Sequence, residues 1–104
     1  MIVPGTDGPA KQRRKLSFVG LVVATVVVDD RQDLADDILI QCDGVPAGLD
    51  VEAEEAAETA FTSLPRPRRK DDASVEDAVR TGIRRALEAR WGKKPVVKVA
   101  VVRV

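Results

Sequence analysis

Three stretches of this chain carry the two-residue rhythm or the continuous apolar run of a β-strand, and two carry the 3.6-residue rhythm of a helix. Leu16 to Val28 is almost wholly apolar and rich in valine. It is too short to span a bilayer as a helix, and its β-branched side chains favour a strand. The acidic segment DDRQDLADD turns the chain, and a shorter strand follows from Ile38 to Cys42. Asp43-Gly44 and Pro46 close it, so the two strands should form an antiparallel hairpin with a long loop. From Leu49 to Leu64, the apolar residues Leu49, Ala53, Ala56, Ala57, Ala60, Phe61 and Leu64 fall on one helical face. Asp50 suits the N-cap, and Pro65 ends the helix. The connector PRPRRKDD reads as extended. A second helix should begin at Ser74, where Ser74-Val75-Glu76-Asp77 approximates a capping box. Its stripe is Val75, Ala78, Val79, Ile83, Ala86, Leu87 and Trp91. Gly82 beside that stripe predicts close approach to a neighbour, and Gly92 is placed to terminate the helix. Pro95 opens the last strand, Val96 to Val104.

The order is ββααβ. The simplest packing is a two-layer α+β domain, a three-stranded mixed sheet with two helices on one face. The first strand, longest and apolar on both sides, belongs in the centre. The third joins it in parallel through a right-handed crossover over the helix pair. This domain spans residues 16–104. Residues 1–15, rich in Pro, Gly and cations without apolar period, read as a linker or arm.

One feature exceeds what a monomer needs. Phe18, Val22, Ala24, Val26 and Val28 take one face of the first strand; Val19, Leu21, Val23 and Val27 take the other. Helices cover one face of a two-layer domain, so the second would be left as an apolar patch of the kind that marks interfaces. Val19, Leu21, Val23 and Val27 are taken as the candidate interface, although alternation alone does not say which face the helices cover, and the roles reverse if the faces are swapped. The expectation is a homodimer or higher oligomer, or docking on partner domains; the competing expectation is that the N-terminal arm folds back as the cover.

Composition narrows the chemistry. Of 104 residues, 17 are Lys or Arg and 17 are Asp or Glu, so global charge does not point to nucleic acid. There is no histidine. That removes imidazole catalysis, His-dependent triads and His-based metal sites, and argues against an enzyme. The single cysteine, Cys42, ends an apolar run and is expected to pack as a small hydrophobe. It fits a reducing compartment, and with neither a signal peptide nor a membrane span in evidence the expected location is cytoplasmic. Asp29, Asp30, Asp33, Asp36 and Asp37 crowd the hairpin loop, but their spacing matches no EF-hand, and a solvated turn is the better reading. Gly5-Thr6-Asp7-Gly8 lacks the strand and the following Lys of a phosphate loop. Arg66, Arg68, Arg69 and Lys70, with Arg84, Lys93 and Lys94, could contact RNA phosphates. No aromatics interleave to stack bases, so such binding would be weak and salt-sensitive. On the second helix, pairing of Glu76 with Arg80 and of Arg84 with Glu88 is the simpler use of the same charges.

RRKLSFVGLVVATVVVDD resembles the opening of the C-terminal domain of RNase J. LPRPRRKD and EDAVRTGIRRALEARWGKKPVVKVAVVRV resemble its end, with Leu64 to Pro95 the most specific part. IVPGTDGPAKQRRK is similar to the preceding linker. RNase J enzymes are metallo-β-lactamase-fold, β-CASP ribonucleases that mature and degrade RNA with two metal ions (zinc, or manganese and magnesium) bound by a HxHxDH motif. That motif is absent, so no catalytic or metal residue carries over, and no cofactor is expected in this chain. The resemblance implies a fragment or detached copy of a non-catalytic accessory domain, tied to oligomerisation and to the parent's catalytic domains. The alternative is a small RNA-binding module.

Overall fold

The computed structural model describes residues 20–104. Strand β1, Leu21–Val28, pairs antiparallel with β2, Leu39–Asp43, and parallel with β3, Val96–Arg103. The sheet order is β2-β1-β3, so the first strand is central and the expected mixed, three-stranded sheet is what forms. Helix α1 spans Leu49–Ser63, a short helical turn α2 spans Arg66–Arg69, and the long helix α3 spans Asp72–Trp91. α1 packs against β2 and α3, and α3 packs against β3, which seats the two main helices side by side across the sheet.

The core is aliphatic. Val22, Ala24, Val26 and Val28 of β1 are fully buried and meet Ala53, Ala57 and Phe61 of α1 and Val75, Val79, Ile83 and Leu87 of α3. Those α3 positions recur every four residues, the spacing of one helical face. Among the described residues no polar side chain is buried, so this core carries no desolvation penalty for unpaired groups.

The expected approach at Gly82 is present. A Cβ there would lie 3.0 Å from the Ala60 Cβ and 3.3 Å from the Ala56 carbonyl oxygen. Two small residues on α1 and one glycine on α3 let the helices close on each other. Gly92 terminates α3 with φ 79°, and its N–H donates to the Glu88 carbonyl at 2.8 Å, as its position in the sequence predicts. Gly20 also has positive φ, and a Cβ on it would come within 3.0 Å of the Gly44 oxygen. Its carbonyl accepts the first cross-link from β3, from Val96 N–H at 3.0 Å.

Four local expectations need correction. Gly48, not Asp50, is the N-cap of α1, and Asp50 sits in the first turn, where the helix dipole still favours it. The connector is not extended: Pro65 opens a helical turn, since a proline near the start of a helix gives up an N–H with no partner there. α3 starts before Ser74, with Asp71 as N-cap. The Ser74 hydroxyl donates to the Asp71 carboxylate at 2.8 Å instead of capping the helix itself. Cys42 is exposed on β2 and does not pack in the core. Partial desolvation, with Asp50 nearby, raises its thiol above the ordinary range and keeps it protonated at neutral pH. Residues 16–19, expected to begin the first strand, lie outside the described residues, as does the arm at 1–15.

Two outcomes test this packing. Gly82→Val should destabilise the domain by about 1–3 kcal/mol, read from urea unfolding, because the Ala60 and Ala56 groups have no room to withdraw. Ala60→Gly in that background should recover part of the loss. Asp71 is held below the ordinary carboxylate range, first by the Ser74 hydroxyl, with the helix N–H groups of Ala73 and Ser74 and the Arg68 charge assisting. A carboxyl depressed in the folded state adds stability above its unfolded pKa and loses it as pH falls through the folded one. Asp71→Ala should therefore lower the thermal midpoint at neutral pH, with the difference vanishing in strong acid.

Candidate interaction surfaces

Strand β1 places Leu21, Val23, Thr25 and Val27 opposite its buried side. The ladder registers carry the same face into the neighbours. Leu39, Gln41 and Asp43 of β2 pair with Thr25, Val23 and Leu21. Val96, Lys98, Ala100 and Val102 of β3 pair with Leu21, Val23, Thr25 and Val27. Among the described residues no helix or loop covers this side. Leu39 is 57% exposed, Val102 44% and Val96 41%. The burial pattern thus settles which face is open: Leu21, Val23 and Val27 lie on it, whereas Val22 lies in the core. Val19, the fourth candidate, lies outside the described residues.

The candidate RNA contacts divide into two kinds. Arg69 is committed to the fold. Its side chain is only 12% exposed. Its Nε donates to the Leu64 carbonyl at 2.9 Å and its Nη2 to the Thr62 carbonyl at 3.0 Å. Its Nη1 reaches the Gln32 carbonyl and the Asp33 carboxylate, both at 3.3 Å. The guanidinium also stacks on Phe61, 5.0 Å from the ring centre. Arg66 pairs with Asp33 at 3.2 Å and donates to the Arg31 carbonyl. Arg103 of β3 completes the group, donating to Asp72 at 2.8 Å, to Gln32 Oε1 at 2.8 Å and to the Arg69 carbonyl at 2.7 Å. Together these arginines clasp the hairpin loop to the end of α1, to α2 and to the last strand.

Arg68, Lys70 and Arg84 form no ion pair among the described residues. Lys93 lies over Trp91 at 5.5 Å, and Lys94 is 4.0 Å from Glu88. The expected helix pairs are rearranged: Arg80 bonds Asp77 at 3.1 Å, and Glu88 takes Lys94 instead of Arg84. Arg68 and Lys70 precede α3, whereas Lys93 and Lys94 follow it. A helix of 20 residues holds these groups about 30 Å apart.

The acidic loop is a self-bonded turn. Asp29 accepts the Arg31 and Asp33 N–H groups at 2.9 and 3.0 Å, and Asp36 accepts that of Asp37 at 2.8 Å. A shallow cleft beside it is lined by Asp36, Asp37, Glu54 and Glu58, a surface that repels phosphate. Among the described residues, no group of three or more His, Cys, Asp or Glu side chains could hold a metal ion. The metal ions that the resemblance implies for a parent enzyme find no donor set here. No helix of the described residues is long and apolar enough to cross a membrane.

The fold and these surfaces define a small two-layer α+β domain with one sheet face uncovered among the described residues. Residues 10–104 match the sequence profile of the Ribonuclease J C-terminal domain. The chain is 43% identical over 103 residues to Ribonuclease J of Sinorhizobium meliloti (strain Sm2011 / Rm2011 / 2011), an alignment covering 89% of this chain and 18% of that one. The chain belongs to the Ribonuclease J C-terminal domain family, and it spans under a fifth of the curated relative's length.

Arg69→Ala should cost about 2–3 kcal/mol in urea unfolding, because three carbonyl oxygens and a carboxylate lose a charged donor. Arg69→Lys should recover little, since an ammonium cannot reproduce the guanidinium fork. Arg68→Ala should stay within about 0.5 kcal/mol of wild type.

Proposed function

We propose that this chain serves as the non-catalytic C-terminal accessory domain of an RNase J-like ribonuclease acting in RNA maturation and decay. In this reading the uncovered sheet face is the contact surface, used for self-association or for seating on the catalytic domains. The observation that carries it is the row of Leu21, Val23, Val27, Leu39, Val96 and Val102 on a face with no covering layer among the described residues. Apolar burial stabilises by about 25 cal/mol per Å², so pairing several such side chains offsets a useful part of the cost of association. A two-fold arrangement lets one patch serve both copies.

The second reading, an RNA-binding module, has weaker support. Arg66 and Arg69 are engaged within the fold, and the remaining cations, Arg68, Lys70, Arg84, Lys93 and Lys94, are spread along the length of α3. Contacts of that kind would address phosphates and not bases.

Sedimentation analysis of the 104-residue chain tests the leading reading. Wild type should associate with rising concentration. Val23→Asp should remain folded by circular dichroism and lower the average mass, whereas Val22→Asp should unfold, because it buries a charge in the aliphatic core. A wild type that stays monomeric at high micromolar concentration would remove self-association from the proposal. Unchanged association in Val23→Asp would take the open face out of it.

A further inference from the structure

The two edges of the sheet are built differently. The β2 edge is short and blunted. Its ladder pairs Thr25 with Leu39, yet Val28 bridges to Leu34, so two extra residues are looped out between them. That bulge carries Asp36 and Asp37, and β2 itself ends on Asp43. Short length, a bulge and charge are the means by which sheets discourage further pairing. The β3 edge is longer and has no bulge, and its charges, Lys98 and Arg103, are both cationic, with Arg103 turned to Asp72 and Gln32. It runs eight residues, VVKVAVVR, without proline, glycine or interruption in its register.

The backbone of β3 shows which groups are free. Val96 N–H donates to Gly20 and Val104 N–H donates to Val28, each at 3.0 Å. In a continuous parallel ladder one strand bonds its neighbour through alternate residues. The even-numbered residues of β3 therefore face β1. Val97, Val99, Val101 and Arg103 direct their N–H and C=O groups outward, where nothing among the described residues meets them.

Resting on the self-association reading above, we propose that β3 pairs antiparallel with β3 of a second copy, joining two sheets into one of six strands. The sequence suits a two-fold register centred on Val99. Val99 then opposes its own counterpart, Val97 opposes Val101, Val96 opposes Val102, and Lys98 opposes Ala100. Opposed residues share a face, so helix-side valines meet helix-side valines, and the open-face residues meet their own kind. No cation lies directly opposite another. Valine pairs are favourable cross-strand partners. The two-fold axis stands normal to the sheet, so both open faces lie on the same side and form one continuous apolar surface.

The test uses the 104-residue chain carrying Val27→Asp, which charges the open face away from Lys98 and isolates the edge. This chain should still dimerise at high concentration. Amide exchange by NMR should then slow at least about tenfold for Val97, Val99 and Val101 on going from low to high concentration. The N–H groups of Lys98, Ala100 and Val102 should be protected at both. Ala100→Glu, placed opposite Lys98 twice in the dimer, should tighten association about fivefold, and Ala100→Lys should weaken it similarly. A Val27→Asp chain that is monomeric at millimolar concentration overturns edge pairing and leaves the open-face reading to its own variants. So does a dimer whose odd-numbered amides exchange freely, or one that both Ala100 charges weaken alike. Odd-numbered amides protected at every concentration would place a segment of the same chain on the edge, and would overturn the proposal too.

Discussion

The structure depends on β1 being bonded along both edges. Eight residues pair with β3 and five of them also pair with β2, so the strand has no freedom to rotate or slip. A slip by one residue would move Val22, Ala24, Val26 and Val28 out of the core and put Leu21, Val23, Thr25 and Val27 in their place. Thr25 would then bring a hydroxyl into a core that, among the described residues, contains no buried polar side chain. The two small residues Ala53 and Ala57 bring α1 close on the helix side, with Ala24 below in the same core. With two helices occupying that side, the other carries no cover among the described residues.

The arginine clasp explains why a basic knot in a sequence need not mean a nucleic-acid surface. Gln32 is held at φ 66°, an uncommon conformation for a residue with a side chain. It is fixed from three directions: its N–H donates to Asp29, its carbonyl accepts from Arg69, and its side-chain oxygen accepts from Arg103. Residues 32, 69 and 103 are far apart in the chain and meet only in the folded state. Arg69 and Arg103 supply forked donors to carbonyls that end α1 and the hairpin loop, a task for which lysine is geometrically unsuited. The price in electrostatic reach is that these cations no longer face solvent as free charges.

What was legible in the sequence follows the same physics. Strand order, helix faces and the Gly82 contact come from periodicity and residue size, which are local. Which face of β1 is open does not follow from alternation, because both faces are apolar, and only the burial pattern identifies it. The RNase J resemblance, carried by Leu64 to Pro95, agrees with the family match over residues 10–104. The helical turn at Arg66–Arg69 was hidden because proline, usually a terminator, here starts a helix. Cys42 looked like a core residue because it ends an apolar run, but β2 is an edge strand and its last residues reach past the cover of α1. The committed roles of Arg66 and Arg69 were invisible for another reason. Their partners in residues 31–33 lie more than 30 positions away, and no spacing rule connects them.

The face and the edge constrain each other. If two copies met through open faces alone, the β3 edge would remain a long strand whose outward backbone groups bond only to water, a template for pairing with another strand. If they met through the edge alone, the apolar face would be doubled in extent and still uncovered. A closed two-fold pairing at β3 ends propagation along the sheet, because the blunted β2 strands then form both outer edges. The enlarged face on one side of that pair becomes a single surface for whatever lies next to it. In such a pair the acidic bulge at Asp36 and Asp37 would lie on the outer edge, where its charge and irregular register oppose further pairing. The proposed pairing would thus give the two edges opposite tasks, one to join and one to terminate.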